Sequence, residues 1–221
     1  MPYQFRFDVV WANKGFLLSG VVLTLYVTAA ALAIGVVAGL IVGIARVSTR
    51  KWLNRPALGY VEVFRNTPAL VQLIWVYYCL PLFTGVNLSA TVSCIVALAL
   101  NGSAYLAEIF RGGIQAVDRG QVEAARALGM SYAKTMRKIV LPQAFRRMIP
   151  PMVNETVALL KFSSLVSILG VADLTYQAQV LSTTTFRPLE IFTGIAVVYF
   201  ALCTSLSYVA GRLERRLAVA D

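Results

Sequence analysis

An apolar run from Phe16 to Ala45 constrains this chain more than any other stretch. It is far longer than the core of a signal peptide and lacks that layout, so it reads as a retained membrane span. A helix needs roughly 20 apolar residues to cross the hydrocarbon layer, and Gly20 to Ile44 supply them with room for tilt. Gly35, Gly39 and Gly43 recur at four-residue spacing along it, the pattern of a close-packing helix face. The composition agrees: of 221 residues 58% are hydrophobic and 14% charged, with a mean hydropathy of +0.72, the balance of an integral membrane protein.

Further runs follow, separated by charge. Arg46, Arg50, Lys51 and Arg55 close the first span on what loop charges mark as the cytoplasmic side. A second span is expected from about Leu58 to Leu80, kinked near Pro68, with Glu62 and Arg65 one turn apart and paired. A third runs from about Leu88 to Phe110. Its Asn101, Tyr105 and Glu108 lie at i, i+4 and i+7 on one face that must meet protein or water. Arg111 is placed to pair with Glu108, which leaves the deeper Asn101 as the functional candidate. A fourth span is expected over Ile149–Val171, then a polar segment, Asp173 to Pro188, then a fifth span over Leu189–Ala210. With five crossings, fifteen basic residues fall on the cytoplasmic side against three on the other, which puts the amino terminus outside and the carboxyl terminus in the cytoplasm.

The net charge of +10 does not point to nucleic acid, because the charges sit between apolar runs and no basic recognition helix or base-stacking platform occurs. There is no histidine, which removes imidazole catalysis and the commonest metal ligand. No phosphate-binding GxxxxGK[ST] loop occurs, so this chain is not expected to hydrolyse ATP itself, and any energy it uses must come from another subunit. Cys79, Cys94 and Cys203 lie in apolar segments without metal-ligand spacing and read as small hydrophobic residues.

The stretch from Glu123 to Pro142, EAARALGMSYAKTMRKIVLP, is polar yet keeps helical spacing. Ala124, Ala127, Leu128 and Met130 mark one helix; Met136, Ile139 and Val140 mark a second. Gly129 falls between them, where a helix ends in positive φ, and Pro142 is expected to close the second helix. Glu123, Ala124, Ala125, Gly129, Ile139, Leu141 and Pro142 resemble, at the family's spacing, the EAA loop of ABC importer membrane subunits. The resemblance implies a cytoplasmic coupling element between spans three and four that docks on an ATPase subunit. There Glu123 would make a polar contact, Ala124 and Ala125 would allow close approach, and Gly129 would form the corner. FRNTPALVQLIW, Phe64 to Trp75, is similar to the second-span signature of the polar amino acid branch.

The fourth span carries Asn154, Glu155, Thr156, Lys161, Ser163 and Ser164 where a lipid-facing helix carries leucine. A central charge costs roughly 2.5–3.5 kcal/mol on insertion scales, against about 0.3–0.6 returned by each Leu or Ile. Such a span needs a purpose or a partner. Seven-residue spacing groups Asn154 with Lys161, Glu155 with Phe162 and Thr156 with Ser163, and these stripes are expected to form one polar face about a third of the helix wide. KFSSL, Lys161 to Leu165, resembles the K-D-[ST]-S-L element of polar amino acid permeases, with Phe162 where many relatives carry Asp. The missing carboxylate removes a partner for a cationic side chain while Lys161 remains to meet an anionic one, so the resemblance leans towards glutamate, aspartate or glutamine.

The expected protein is thus an all-α integral membrane permease of the bacterial inner membrane. An extracytoplasmic segment covers residues 1–18, one transmembrane domain 19–211, and a cytoplasmic tail 212–221. The resemblance implies a second permease subunit, an ATPase dimer that holds ATP and Mg, and an extracytoplasmic solute-binding protein, with no cofactor or metal in this chain. The rival reading is an ion- or proton-coupled secondary transporter with Glu108, Glu155 and Lys161 as relay groups, though no internal repeat supports it. A membrane-embedded scaffold leaves the seven loop positions unexplained.

Overall fold

The computed structural model describes residues 3–217, with side chains through Arg212. The described residues form helices and connecting turns, without strands: α1 (Asp8–Ala12), α2 (Lys14–Val47), α3 (Lys51–Arg65), α4 (Ala69–Thr84), α5 (Ala90–Gln115), α6 (Arg119–Ala127), α7 (Tyr132–Leu169), α8 (Leu174–Thr185) and α9 (Pro188–Leu217). The tail expected over 212–221 lies outside the described residues from Ala218 onward, and so do the side chains of Arg215 and Arg216.

Four helices, α2, α5, α7 and α9, are long and apolar enough to cross a membrane, and the bent pair α3–α4 makes a fifth candidate. Helix α5 is the hub, with 67% of its most apolar window buried against 33% for α2 and 17% for α9. The glycine spacing of α2 sets its contact with this hub. A Cβ at Gly39 would lie 2.8 Å from the Leu106 Cβ and 2.9 Å from the Ser103 carbonyl oxygen, so only glycine admits this approach. The central core joins Val27, Leu73, Leu98, Leu159 and Val166 from α2, α4, α5 and α7. A second cluster ties α8 to α2 and α9, and a third packs Leu106 and Phe110 against Val140, Ala144 and Met148.

The second span is not the kinked helix the sequence suggests. Helices α3 and α4 meet at 103°, a corner rather than a bend. Pro68 lacks an N–H and keeps Thr67 out of helical geometry, which ends α3 at Arg65. The Phe64 carbonyl, stripped of a helical donor, accepts instead from Gln72 Nε2 at 2.8 Å and Asn101 Nδ2 at 3.1 Å. The expected Glu62–Arg65 pair does not form. Glu62 accepts from Asn66 Nδ2 at 2.6 Å, and the Arg65 guanidinium lies 5.2 Å from the centroid of the Tyr105 ring. The expected Glu108–Arg111 pair does form, at 2.6 Å, and Arg46 joins it at 3.0 Å.

A second difference concerns the coupling stretch. The expected short second helix and its boundary at Pro142 are absent, because α7 runs unbroken from Tyr132 to Leu169, 38 residues or about 57 Å. A π-helical turn over Met136–Val140 stands directly before Pro142. The widened turn accommodates a residue that has no N–H and whose ring would otherwise press on the Lys138 carbonyl. The last turns, Ser163–Leu169, tighten to a 3-10 helix. There the Ser163, Ser164 and Ser167 hydroxyls each donate to the carbonyl three residues back, at 2.7–2.8 Å.

Candidate functional site

The corner between α6 and α7 is built by local chemistry. Asp118 caps α6, its Oδ1 accepting from Gly120 N–H at 2.6 Å and Gln121 N–H at 3.3 Å. At the other end Met130 N–H donates to the Ala125 carbonyl at 3.0 Å and Gly129 N–H to the Arg126 carbonyl at 2.9 Å, with Gly129 at φ +76°. This is the Schellman termination, which needs a left-handed residue at the glycine position. Gln143 Nε2 donates to Gln121 Oε1 at 2.6 Å and binds α6 back onto α7, and Arg147 donates to the Ala116 carbonyl.

Glu123 and Ala124 are exposed on α6, and Leu141 and Pro142 on α7, with Ile139 half-buried. Ala125, expected at the surface, is buried at 3% exposure, so its small side chain serves the packing of α6. Glu123 edges a groove of about 550 Å³ with Arg119, Arg126, Met136 and Val140. The corner also presents Leu128, read from the sequence as part of a helix's apolar face but 83% exposed, and Tyr132, 64% exposed and not singled out from the sequence. Their signal was available: bulky apolar residues flank a glycine in an otherwise polar segment.

Three further grooves lie along α7, one of them an apolar groove between Thr156 and Leu160 and the flanks of α2 and α9. Of the other two, the first, about 450 Å³, opens at the α3–α4 corner between Arg65, Thr67, Asn101, Tyr105 and Phe162. Asn101 is 3% exposed; its amide nitrogen is engaged by Phe64 O and Gln72 Oε1, while its Oδ1 has no partner in the chain. Arg65 is exposed and forms no ion pair among the described residues. The second groove, about 520 Å³, runs between α7 and α9 and is lined by Lys161, Ser164, Tyr199, Cys203, Thr204 and Ser207 among others.

The single polar face expected on the fourth span is therefore divided. Adjacent helical residues diverge by about 100°, so three neighbouring stripes wrap more than half of the helix. Asn101 and Phe162 share one groove, and Lys161 and Ser164 the other. Ser163 is fully buried with its hydroxyl returned to the Leu160 carbonyl, and Asn154 is exposed away from both grooves. Glu155 is buried, with one carboxylate oxygen unpartnered and no ion pair to Lys161. Arg65, set aside as a paired residue when only the sequence is read, is the cation the first groove presents. No cluster of three His, Cys, Asp or Glu side chains that could hold a metal occurs among the described residues.

A helical bundle of membrane-crossing length, with polar grooves along one long helix and a protruding corner at its end, has the build of a membrane transport subunit. The chain belongs to the family of binding-protein-dependent transport system inner membrane components, whose pattern matches residues 35–219. It is 38% identical over 217 residues to the glutamine transport system permease protein GlnP of Escherichia coli, covering 98% of this chain and 99% of that protein. The arginine transport system permease protein ArtQ of Bacillus subtilis is 36% identical over 206 residues, covering 93% and 94%. In solved structures, a chain of an amino acid ABC transporter with histidines superposes with a TM-score of 0.92 at 42% identity, covering 97% of this chain and all of that one. The MetNI methionine ABC transporter, in an inward-facing conformation, shares the fold at TM-score 0.81 and 22% identity, covering 94% and 99%. Family membership places the chain in the inner membrane as a permease subunit and leaves the ion-coupled alternative without support.

Proposed function

We propose that this permease subunit passes polar L-amino acids through an ATP-driven importer, in five crossings with the amino terminus outside and the carboxyl terminus in the cytoplasm. In that arrangement the α3–α4 pair is one broken span and the α6–α7 corner faces the cytoplasm. An ATPase dimer carrying ATP and Mg grips the corner on Glu123 and the exposed Leu128 and Tyr132, a second permease subunit completes the path, and a solute-binding protein delivers from outside. The relatives named for glutamine and arginine transport support an amino acid as cargo.

The groove at the α3–α4 corner carries this reading, because its groups match a zwitterion. The exposed Arg65 guanidinium suits an α-carboxylate, and Asn101 Oδ1, unpartnered but buried in the groove wall, is the acceptor an α-ammonium would reach once the groove opens. Phe162 gives the solute side chain an apolar wall without a negative charge, which favours glutamine, glutamate or aspartate over arginine. The unbroken α7 joins the corner to both grooves, so a stroke at the corner moves Phe162 and Lys161 together.

The test is uptake into vesicles that hold the permease with its co-purified ATPase, with the solute-binding protein supplied on the outer side. ATP-dependent accumulation of glutamine is expected, and Arg65→Ala raises KM by about 10- to 150-fold, the equivalent of a charge-assisted hydrogen bond of about 1.5–3 kcal/mol. Accumulation that ignores ATP, or an unchanged KM in the variant, refutes the assignment.

A further inference from the structure

Residues 3–12 take part in neither the corner nor the grooves, and their first half alternates aromatic with polar side chains: Tyr3, Phe5 and Phe7 against Gln4, Arg6 and Asp8. One edge of this segment binds the start of α9. Arg6 N–H donates to Glu190 Oε1 at 3.0 Å, and Arg187 Nη1 donates to the Gln4 carbonyl at 2.7 Å. The Tyr3 hydroxyl donates to Glu190 Oε2 at 2.5 Å, and Arg187 pairs with Glu190 at 3.3 Å. Glu190 is 0% exposed, so its carboxylate is wholly occupied in holding this segment.

The aromatic side chains stay uncovered. Tyr3, Phe5, Phe7 and Trp11 are 50%, 61%, 45% and 75% exposed, and the Phe5 and Phe7 rings stack with centroids 6.2 Å apart. The membrane-crossing helix α2 follows directly in the chain, and among the described residues Phe16, Leu18 and Val22 of its first turns are also exposed. Aromatic rings concentrate at the boundary between headgroups and acyl chains, and an exposed Lys14 stands beside them for phosphate.

We propose that residues 3–12 are an interfacial strap, lying on lipid at the headgroup–acyl boundary of the leaflet in which α2 begins and locked to α9 by Glu190 and Arg187. Lipid is the occupant because the exposed aromatic residues stand immediately before a membrane-crossing helix whose first turns also expose apolar side chains. The nearby Arg6 and Asp8 neutralise each other at 2.9 Å, which leaves no charge pattern to select a protein partner.

The test uses the full-length chain in vesicles of zwitterionic and anionic phospholipid, with Trp52→Phe and Trp75→Phe leaving Trp11 as the single indole. Lipids brominated near the headgroup are expected to quench Trp11 about twofold more than lipids brominated near the bilayer centre, as a burial of about 5–10 Å requires, with weak quenching by aqueous iodide. Strong iodide quenching without lipid quenching overturns the proposal. Shielding that arises only when a solute-binding protein is added also overturns it, in favour of a protein-docking surface. Glu190→Ala removes the acceptor shared by the Tyr3 hydroxyl, the Arg6 N–H and the Arg187 guanidinium. It is expected to raise iodide quenching about twofold and leave the helical circular dichroism intact; unaltered quenching refutes the lock. Wild-type protein supplies an independent reading by hydrogen exchange, with residues 3–12 expected to be more protected in lipid nanodiscs than in detergent, and equal protection counting against the strap.

Discussion

Phe162→Asp restores a carboxylate to the groove at the α3–α4 corner and is expected to turn solute preference towards cations. The position is 36% exposed and shares the groove with Arg65 and Asn101, so the new carboxylate reaches whatever occupies it. A charge-assisted bond to a guanidinium is worth about 1.5–3 kcal/mol. Arg65 competes for the same carboxylate, and an exposed pair of that kind offsets about 0–1 kcal/mol. The difference, about 0.5–3 kcal/mol, is a rise of roughly two- to 150-fold in the affinity for arginine relative to glutamine. Equilibrium dialysis of the two labelled amino acids against the purified permease–ATPase assembly measures this ratio without the selectivity of a solute-binding protein. A ratio within about twofold of wild type, with folding intact, shows that Phe162 does not face solute and removes the basis for assigning this groove.

Gly129→Val places a β-branched residue at φ +76°, at a cost above the roughly 1–2 kcal/mol of an ordinary left-handed residue; normal membrane levels with lost uptake are expected, and full uptake refutes the coupling role. Glu123→Lys is expected to abolish co-purification of the ATPase, so retained co-purification excludes that contact. Lys161→Ala should alter transport rate or preference, measured across acidic, neutral and basic amino acids, and unchanged kinetics assign Lys161 to packing alone. Gly39→Leu drives atoms into the Leu106 Cβ and the Ser103 carbonyl and costs about 1–3 kcal/mol or more, read as a lower unfolding midpoint in detergent. The control, Gly59→Ala, has no atom within 4 Å to meet and should be neutral.

Features set by runs and spacing were legible in the sequence. The apolar stretches became α2, α5 and α9, the glycine stripe became the close approach to α5, and Gly129 became the turn of a helix termination. What escaped depends on contacts between segments distant in sequence. Nothing in RNTP distinguishes a kink from a 103° corner until Gln72 and Asn101 are there to satisfy the Phe64 carbonyl. Pro142 reads as a terminator because the π-turn that accommodates it has no strong signature of its own. Arg65 looked paired because Glu62 is near in sequence, whereas the fold gives Glu62 to Asn66 and turns Arg65 towards Tyr105. The division of the fourth-span residues into two grooves required the positions of α3, α4 and α9, which no single-helix projection contains.

The continuity of α7 has a reciprocal consequence. A helix that continues through its π-turn and prolines without a gap couples its two ends, so in the proposed importer whatever grips Tyr132 also bears on the walls beside Phe162 and Lys161. Thermodynamic linkage then runs both ways: a solute that favours one position of the helix must strengthen or weaken the grip of the subunit at the far end by the same factor. In the proposed importer, cargo occupancy is thereby felt at the coupling corner through the backbone of a single helix.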